Sequence, residues 1–168
     1  MRTPTAVTSA LTGGARSGGA NGPPRGMSRR WVEALAGVPL FSGVSERHLR
    51  KLVRSAEEVH VQAGSPVVFR EDTGREFFVI LDGTAVVGPA TGRRAVLKSG
   101  DFFGEMSVID GQPRSASVRA ETDLTLMVLG RSAFLRVLRE EPSVAIAVIT
   151  ELAARVRRLE GAPSRPRS

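Results

Sequence analysis

The hydrophobic pattern of the chain changes its period twice. Before residue 57 the apolar residues recur at helical spacing, and Trp31, Leu35 and Val38 share one face of a predicted first helix. Pro39 ends that helix. Ser45 has the identity and position of an N-cap, and predicts a second short helix that presents its leucines to one side.

Between residues 57 and 129 the period shortens to two. Short β-branched segments, such as Val59–Val61 and Phe77–Leu81, are separated by Gly, Pro, Asp and Ser at intervals of roughly ten residues. Asp82-Gly83, between two such segments, predicts a tight hairpin. The pattern predicts seven or eight antiparallel strands in a sandwich or barrel.

From residue 131 the helical period returns. Phe134 and Leu138 lie on one face of a predicted helix, and Pro142 begins another that runs to about Glu160, where Gly161 ends it. The chain is therefore predicted to be mainly β, with short helices before the strands and two helices after them.

The two ends of the chain differ in composition from the body. Residues 1–28 are rich in Gly, Pro, Ser and Arg and contain no acid, which is typical of a disordered basic arm. A start of translation at Met27 is an equally good interpretation of the same stretch. Residues 161–168 are predicted to be a disordered tail, so the folded domain is expected to cover residues 29–160.

Composition excludes several classes of protein. The net charge of +7 comes from five arginines in residues 1–30 and two in residues 161–168, so the body is neutral and does not show the basic excess of a nucleic-acid-binding fold. The absence of Cys excludes disulfides and zinc–cysteine sites. No apolar run is long enough for a transmembrane helix, and the chain is expected to be cytoplasmic.

The stretch 100–118 interrupts the strand pattern. Gly104-Glu105 opens a segment that can make one helical turn, Gly111 turns the chain back, and Arg114-Ser115 begins the next strand. A guanidinium and the free N–H groups of a helical turn both bind phosphate oxygens. A carboxylate accepts hydrogen bonds from hydroxyls, so Glu105 suits a ribose 2′-hydroxyl. One acid and one arginine together predict a site for a nucleotide with a single negative charge.

These residues carry a resemblance to a known family. The run Phe103-Gly104-Glu105-Met106-Ser107, followed after a gap by Pro113-Arg114-Ser115-Ala116, resembles the phosphate-binding cassette of cyclic nucleotide-binding domains. That family includes bacterial catabolite activator proteins and the regulatory subunits of cyclic-AMP-dependent protein kinase. The resemblance covers about residues 33–160. It implies an antiparallel eight-stranded jelly-roll β-barrel with flanking helices.

The resemblance also implies a set of site residues and a function. The ligand contacts it implies are Phe103, Gly104, Glu105, Met106, Ser107, Arg114, Ser115 and Ala116. Strand residues 67–69 and 96–97 would lie near the base. The ligand would be cyclic AMP, with cyclic GMP as the alternative because Ser115 offers a hydroxyl. The protein would be a regulatory module, not an enzyme, that signals to a separate protein partner.

The last helix supplies two candidates for a lid over the ligand. Alignment from Glu141-Pro142 places Leu159 where relatives of the activator type contact the base. Arg155 is the nearest cation on the same helix, and a solvated helix charge is the competing interpretation of it.

The same helix carries an apolar stripe with spacings of 4, 3, 4 and 3. Its members are Ala145, Ile149, Leu152, Val156 and Leu159. Such a stripe is typical either of a homodimer helix or of a helix that packs on its own barrel.

Two alternative functions are weighed against this hypothesis. A metal-dependent barrel enzyme needs more histidines than His48 and His60. A shortened activator-type protein could contact nucleic acid through its basic tails. However, no helix-turn-helix segment follows the last predicted helix, so direct DNA binding is not expected.

Overall fold

The computed structural model describes residues 25–88 and 94–161. Most of the predicted basic arm and the tail after Gly161 lie outside these residues, so their disorder and any contact with nucleic acid stay predictions. The first helix, α1, spans Arg25–Ala36 and begins four residues before the expected boundary of the folded domain.

The N-terminal helices follow the predicted pattern. After α1 comes a 3₁₀ turn at Pro39–Phe41, and helix α2 spans Glu46–Arg54. The Ser45 hydroxyl accepts a hydrogen bond from the His48 backbone N–H at 3.4 Å, which confirms Ser45 as the N-cap.

The described residues contain eight strands in two antiparallel sheets. The strands are β1 (Ala56–Val61), β2 (Pro66–Val68), β3 (Glu76–Asp82), β4 (Thr84–Val87), β5 (Ala95–Lys98), β6 (Phe102–Phe103), β7 (Val118–Ala120) and β8 (Leu124–Gly130). One sheet has the order β1-β8-β3-β6 and the other the order β2-β7-β4-β5. This alternation of sheets along the chain is the arrangement of a jelly roll.

Two details differ from the sequence prediction. The strands form two separate four-stranded sheets, so a closed eight-stranded barrel is not shown. The predicted hairpin at Asp82-Gly83 is wrong, since β3 and β4 belong to different sheets. Gly83 instead turns the chain from one sheet to the other with φ of 92°.

The first sheet is buried on both faces. Phe77 and Val79 of β3 pack against the helices, whereas Phe78 and Ile80 point into the space between the two sheets. Burial on both faces explains why β3 reads as an unbroken apolar run and not as an alternating one.

Two C-terminal helices close the helical side of this sheet. After the short helix α3 (Glu105–Asp110), which lies between β6 and β7, helix α4 spans Arg131–Glu140. Its Phe134 stacks on Phe77 with ring centroids 4.0 Å apart. Helix α5 follows, spans Pro142–Leu159 and buries Val144 and Val148 in the same core. Within the described ranges, no helix is both long enough and apolar enough to cross a membrane.

Candidate ligand-binding site

The stretch that interrupts the strand pattern forms a short helix between two glycines. Helix α3 spans Glu105–Asp110, with Gly104 at φ of 86° before it and Gly111 at φ of 74° after it. A Cβ atom on Gly104 would lie 2.7 Å from Arg114 Nη1 and 2.8 Å from the Glu76 carbonyl oxygen. Both the backbone conformation and the lack of space therefore require glycine at this position.

Arg114 is buried beside Gly104. Its Nη1 donates a hydrogen bond to the Gly104 carbonyl at 3.2 Å, and its Nη2 donates to the Glu76 carbonyl at 2.9 Å and to Glu76 Oε2 at 3.2 Å. Burial lowers the pKa of the guanidinium, and the Glu76 carboxylate opposes that shift. The side chain is thus a desolvated cation whose charge is balanced mainly by Glu76.

The loop between β2 and β3 fixes the backbone of Arg114. The Arg114 N–H donates to the Asp72 carbonyl and the Glu71 N–H donates to the Arg114 carbonyl, both at 2.9 Å. In the same loop, a Cβ on Gly74 would lie 1.9 Å from Arg114 Nε. The absence of a side chain at Gly74 therefore creates the space that the guanidinium occupies.

Glu105 is also buried, with only 1% of its surface exposed. Its Oε1 accepts a hydrogen bond from Arg155 Nη1 at 2.5 Å, while its Oε2 is buried and has no hydrogen-bond partner in the structure. Burial raises the pKa of the Glu105 carboxyl, and Arg155 opposes the rise. One carboxylate oxygen is therefore left without the donor that a buried acceptor requires.

Arg155 ties helix α5 to the start of α3. Besides the bond to Glu105, its Nη2 donates to the Phe102 carbonyl at 3.1 Å and its Nε donates to Glu151 Oε1 at 3.1 Å. Its Cζ lies 5.6 Å from the centroid of the Phe102 ring. Arg155 is thus an anchored, half-buried side chain and not a solvated helix charge.

Leu159, the other lid candidate, has 87% of its surface exposed. The helix turns this residue towards solvent, so its role as a lid stays a prediction.

The remaining predicted contacts differ in exposure. Phe103 and Ser107 are buried, and the Phe103 ring stacks on Phe78 with centroids 4.7 Å apart. Met106 is 44% exposed, and its Sδ accepts a hydrogen bond from the Ser115 hydroxyl at 3.7 Å. Ala116, which follows Ser115 in the sequence, is half-buried. Two hydrogen bonds join the two halves of the cassette: one from Arg114 to the Gly104 carbonyl, and one from the Ser115 hydroxyl to Met106 Sδ.

The two charged residues of the cassette, Glu105 and Arg114, have separate partners. No ion pair joins Glu105 to Arg114, although each lies within the electrostatic influence of the other. Glu105 pairs instead with Arg155 and Arg114 with Glu76. Sequence reasoning missed Gly74 and Glu76, since a glycine in a loop and an acid at the start of a strand carry no distinctive local pattern.

Comparison with known proteins places the chain in a family. The family model "Cyclic nucleotide-binding domain" matches residues 58–141, which is half of the chain and includes α3 and Arg114. The chain belongs to this family of cyclic nucleotide-binding domains.

Individual relatives agree with that assignment. A cAMP-dependent protein kinase regulatory subunit of Aspergillus niger is 35% identical over 117 residues, which cover 66% of this chain and 28% of the relative. The catabolite activator protein of Thermus thermophilus has a TM-score of 0.64 and 29% identity, over 73% of this chain and 60% of that one. The chain thus spans less than a third of the kinase subunit.

A third relative shows the likeness of fold. A co-crystal structure of the regulatory domain of Toxoplasma gondii PKA with cAMP has a TM-score of 0.66 and 22% identity, and covers 76% of this chain and 50% of that one.

We predict that Gly74→Ala destabilises the protein. The new Cβ displaces the Arg114 guanidinium from Glu76 and Gly104, and a hydrogen bond to a charged group is worth about 1.5–3 kcal/mol. Denaturant unfolding should show a loss of that size. Gly37→Ala is the matched control, because its Cβ comes no closer than 3.4 Å to other atoms. A loss no larger than that of the control would contradict the analysis.

A second prediction concerns pH. Because burial raises the pKa of Glu105 in the folded protein above its ordinary value of 4.5, the folded protein binds more protons than the unfolded chain between the two pKa values. This contribution to stability is complete below the unfolded pKa and is lost as the pH rises through the folded pKa.

Glu105→Gln removes that ionisation. The free energy of unfolding of the wild type, measured relative to Glu105→Gln, should therefore fall as the pH rises above 4.5. Unfolding titrations of both proteins across this range check it. A difference that stays constant would show that folding does not shift this pKa, and a difference that rises with pH would show that the environment favours the ionised carboxylate; either result contradicts the prediction.

Proposed function

We propose that this chain is a regulatory module, and not an enzyme, that binds a cyclic mononucleotide. Cyclic AMP is the preferred ligand and cyclic GMP the alternative. Family membership supports the ligand class. The names of the Aspergillus niger kinase subunit and of the Toxoplasma gondii complex support cyclic AMP in particular. A separate protein partner reads the position of the C-terminal helices.

The phosphate half of the proposed site is Arg114 with the main chain around Gly104. The guanidinium is already buried and oriented, and Glu76 supplies the negative charge beside it. A cyclic phosphodiester carries one negative charge and can replace the Glu76 carboxylate as an acceptor of Arg114 hydrogen bonds. Ser115, the next residue, adds a hydroxyl at the same edge.

The observation that carries the proposal is the unpartnered Oε2 atom of Glu105. A buried carboxylate oxygen with no donor costs about 1–3 kcal/mol or more relative to a satisfied one. A ribose 2′-hydroxyl is a donor of the right kind, and a phosphate bound at Arg114 would place it near α3. Glu105 is therefore assigned to the sugar and not to catalysis.

The lid half of the proposal rests on Arg155. This side chain joins α5 to Glu105 and to the Phe102 carbonyl, so α5 cannot move without breaking hydrogen bonds at the sugar-binding residue. A ligand that changes the partners of Glu105 therefore changes the equilibrium position of α5. The size of that change is limited by the difference between its affinities for the two positions.

We predict that Arg114→Leu removes most of the affinity for cyclic AMP. Loss of two charge-assisted hydrogen bonds, about 3 kcal/mol in total, corresponds to at least about a 100-fold increase in Kd. Isothermal titration calorimetry of both proteins measures it. Arg139→Leu is the control, because Arg139 is an exposed arginine on α4.

The same calorimeter separates the sugar contact from the phosphate contact. 2′-Deoxy cyclic AMP should bind the wild type about tenfold or more weakly than cyclic AMP. The ratio of the two dissociation constants should be smaller in Glu105→Gln. Cyclic GMP and linear AMP complete the panel. If the wild type gives no heat with either cyclic nucleotide, or if Arg114→Leu binds as tightly as the wild type, the proposed function is wrong.

A finer proposal concerns assembly. Helix α5 is apolar on two faces, and Val144 and Val148 occupy the inner one. On the outer face Ile146 and Ile149 are each 63% exposed, and Val156 is exposed as well. Of the five residues in the apolar stripe, three point to solvent and not into the chain's own core: Ile149, Val156 and Leu159. We infer that this face pairs two copies of the chain.

Ile149→Glu should weaken that homodimer at least about tenfold, because a carboxylate in an apolar interface is desolvated without a partner. Sedimentation velocity measures it against a chain mass of 17.9 kDa. Val96→Glu, on the exposed surface of β5, is the control and should leave the dimer intact. A wild type that sediments as a monomer at all accessible concentrations would rule out the pairing.

A further inference from the structure

Arg131, the first residue of α4, makes two hydrogen bonds outside its own helix. Its Nε donates to the carbonyl oxygen of Val108 in α3 at 2.8 Å. Its backbone N–H donates to the carbonyl oxygen of Arg75 at 2.7 Å. One residue thus connects α4 both to the cassette helix and to the residue that precedes Glu76.

The first of these bonds ends on an atom that α3 leaves open. Helix α3 has only six residues, and its closing bond runs from the Gly111 N–H to the Ser107 carbonyl. The Val108 carbonyl lies in the last turn, where helix carbonyls have no intrahelical donor and carry partial negative charge. The guanidinium of Arg131 supplies the missing donor together with a complementary charge.

The same charge is unfavourable for α4 itself. A cation in the first turn of a helix opposes the helix dipole, and α4 has no acid in its first turn to compensate. The local sequence of α4 therefore does not explain an arginine at this position. The hydrogen bond from Arg131 to the Val108 carbonyl of α3 explains it.

The second bond reaches the other half of the site. Arg75 precedes Glu76, whose carbonyl and carboxylate oxygens both accept hydrogen bonds from Arg114. Val108 follows Glu105 by three residues and is itself fully buried in the core that contains Phe134 of α4. A displacement of Glu76 or of α3 therefore changes the position of an atom that Arg131 holds.

We propose that Arg131 is the positioning residue through which occupancy of Arg114 reaches α4 and α5. The inference rests on the proposed function for its ligand, but the mechanical connection it describes exists without one. A change at Glu76 or α3 is transmitted because Arg131 binds the carbonyl of Arg75, the neighbour of Glu76, and the carbonyl of Val108 in α3. Helix α4 then leads directly into the helix that carries Arg155.

Hydrogen exchange of the α4 and α5 amides, with and without cyclic AMP, tests the proposal. Arg131→Met keeps the length of the side chain and removes its donors, and should reduce the ligand-induced change in protection at least twofold while binding heat remains. Arg131→Lys, which retains a donor, should keep the change. Arg136→Met, on the same helix with a bond to the Ser55 hydroxyl, is the control and should behave as the wild type.

A merely structural role gives a different result. Loss of a structural contact would raise exchange equally in the free and the bound protein and leave the ligand-induced difference unchanged, which would overturn the proposal. If Arg131→Met does not fold, Arg131→Leu, which also has no hydrogen-bond donor, takes its place in the same comparison.

A ligand-free arm separates this proposal from the proposed function. The effects of Arg114→Leu and Arg131→Met on the unfolding equilibrium constant should depart from additivity by about fivefold or more, as expected for coupled sites. Additivity within about twofold would overturn the coupling even if cyclic AMP binds. Non-additivity without any cyclic AMP binding would support the coupling and refute the ligand.

Discussion

The burial of the Arg114 guanidinium is the constraint that organises this end of the molecule. A desolvated cation needs hydrogen-bond acceptors and a compensating charge, and Glu76 and the Gly104 carbonyl supply both. It also needs volume, which Gly74 and Gly104 provide by having no side chain. Loop, strand and cassette helix are therefore arranged around one side chain. The same side chain is the natural partner of a phosphodiester.

The second charged contact sets the relation between the site and the C-terminal helices. Glu105 is buried against Arg155, which also binds the Phe102 carbonyl. Two opposite charges thus occupy the site, each with its own partner, and neither neutralises the other directly. A ligand with one negative charge and one hydroxyl fits this arrangement, because it offers an acceptor to Arg114 and a donor to Glu105. The two ion pairs of the chain match the polarity of the proposed ligand.

Helix α5 combines two roles that its sequence does not separate. Its inner face packs on the core through Val144 and Val148, and its outer face exposes Ile146 and Ile149. Its heptad-like stripe alone is compatible with either packing or pairing, since both bury apolar residues at the same spacing. Only the position of the helix on the sheet shows which residues remain available. The exposed face and Arg155 lie on one rigid element, so the proposed pairing and the lid would move together.

The sequence by itself determined the order of helices and strands, the Ser45 cap and the cassette with Glu105 and Arg114, because these depend on residue periodicity and on local chemistry. It did not determine that β3 and β4 belong to different sheets, since a Gly-containing turn permits either a hairpin or a crossing between sheets. The partners of the two charges, Glu76 and Arg155, were decided by tertiary structure alone. Each lies 38 or 50 residues from its partner, and no local pattern encodes a contact that only the packing of sheet and helix creates.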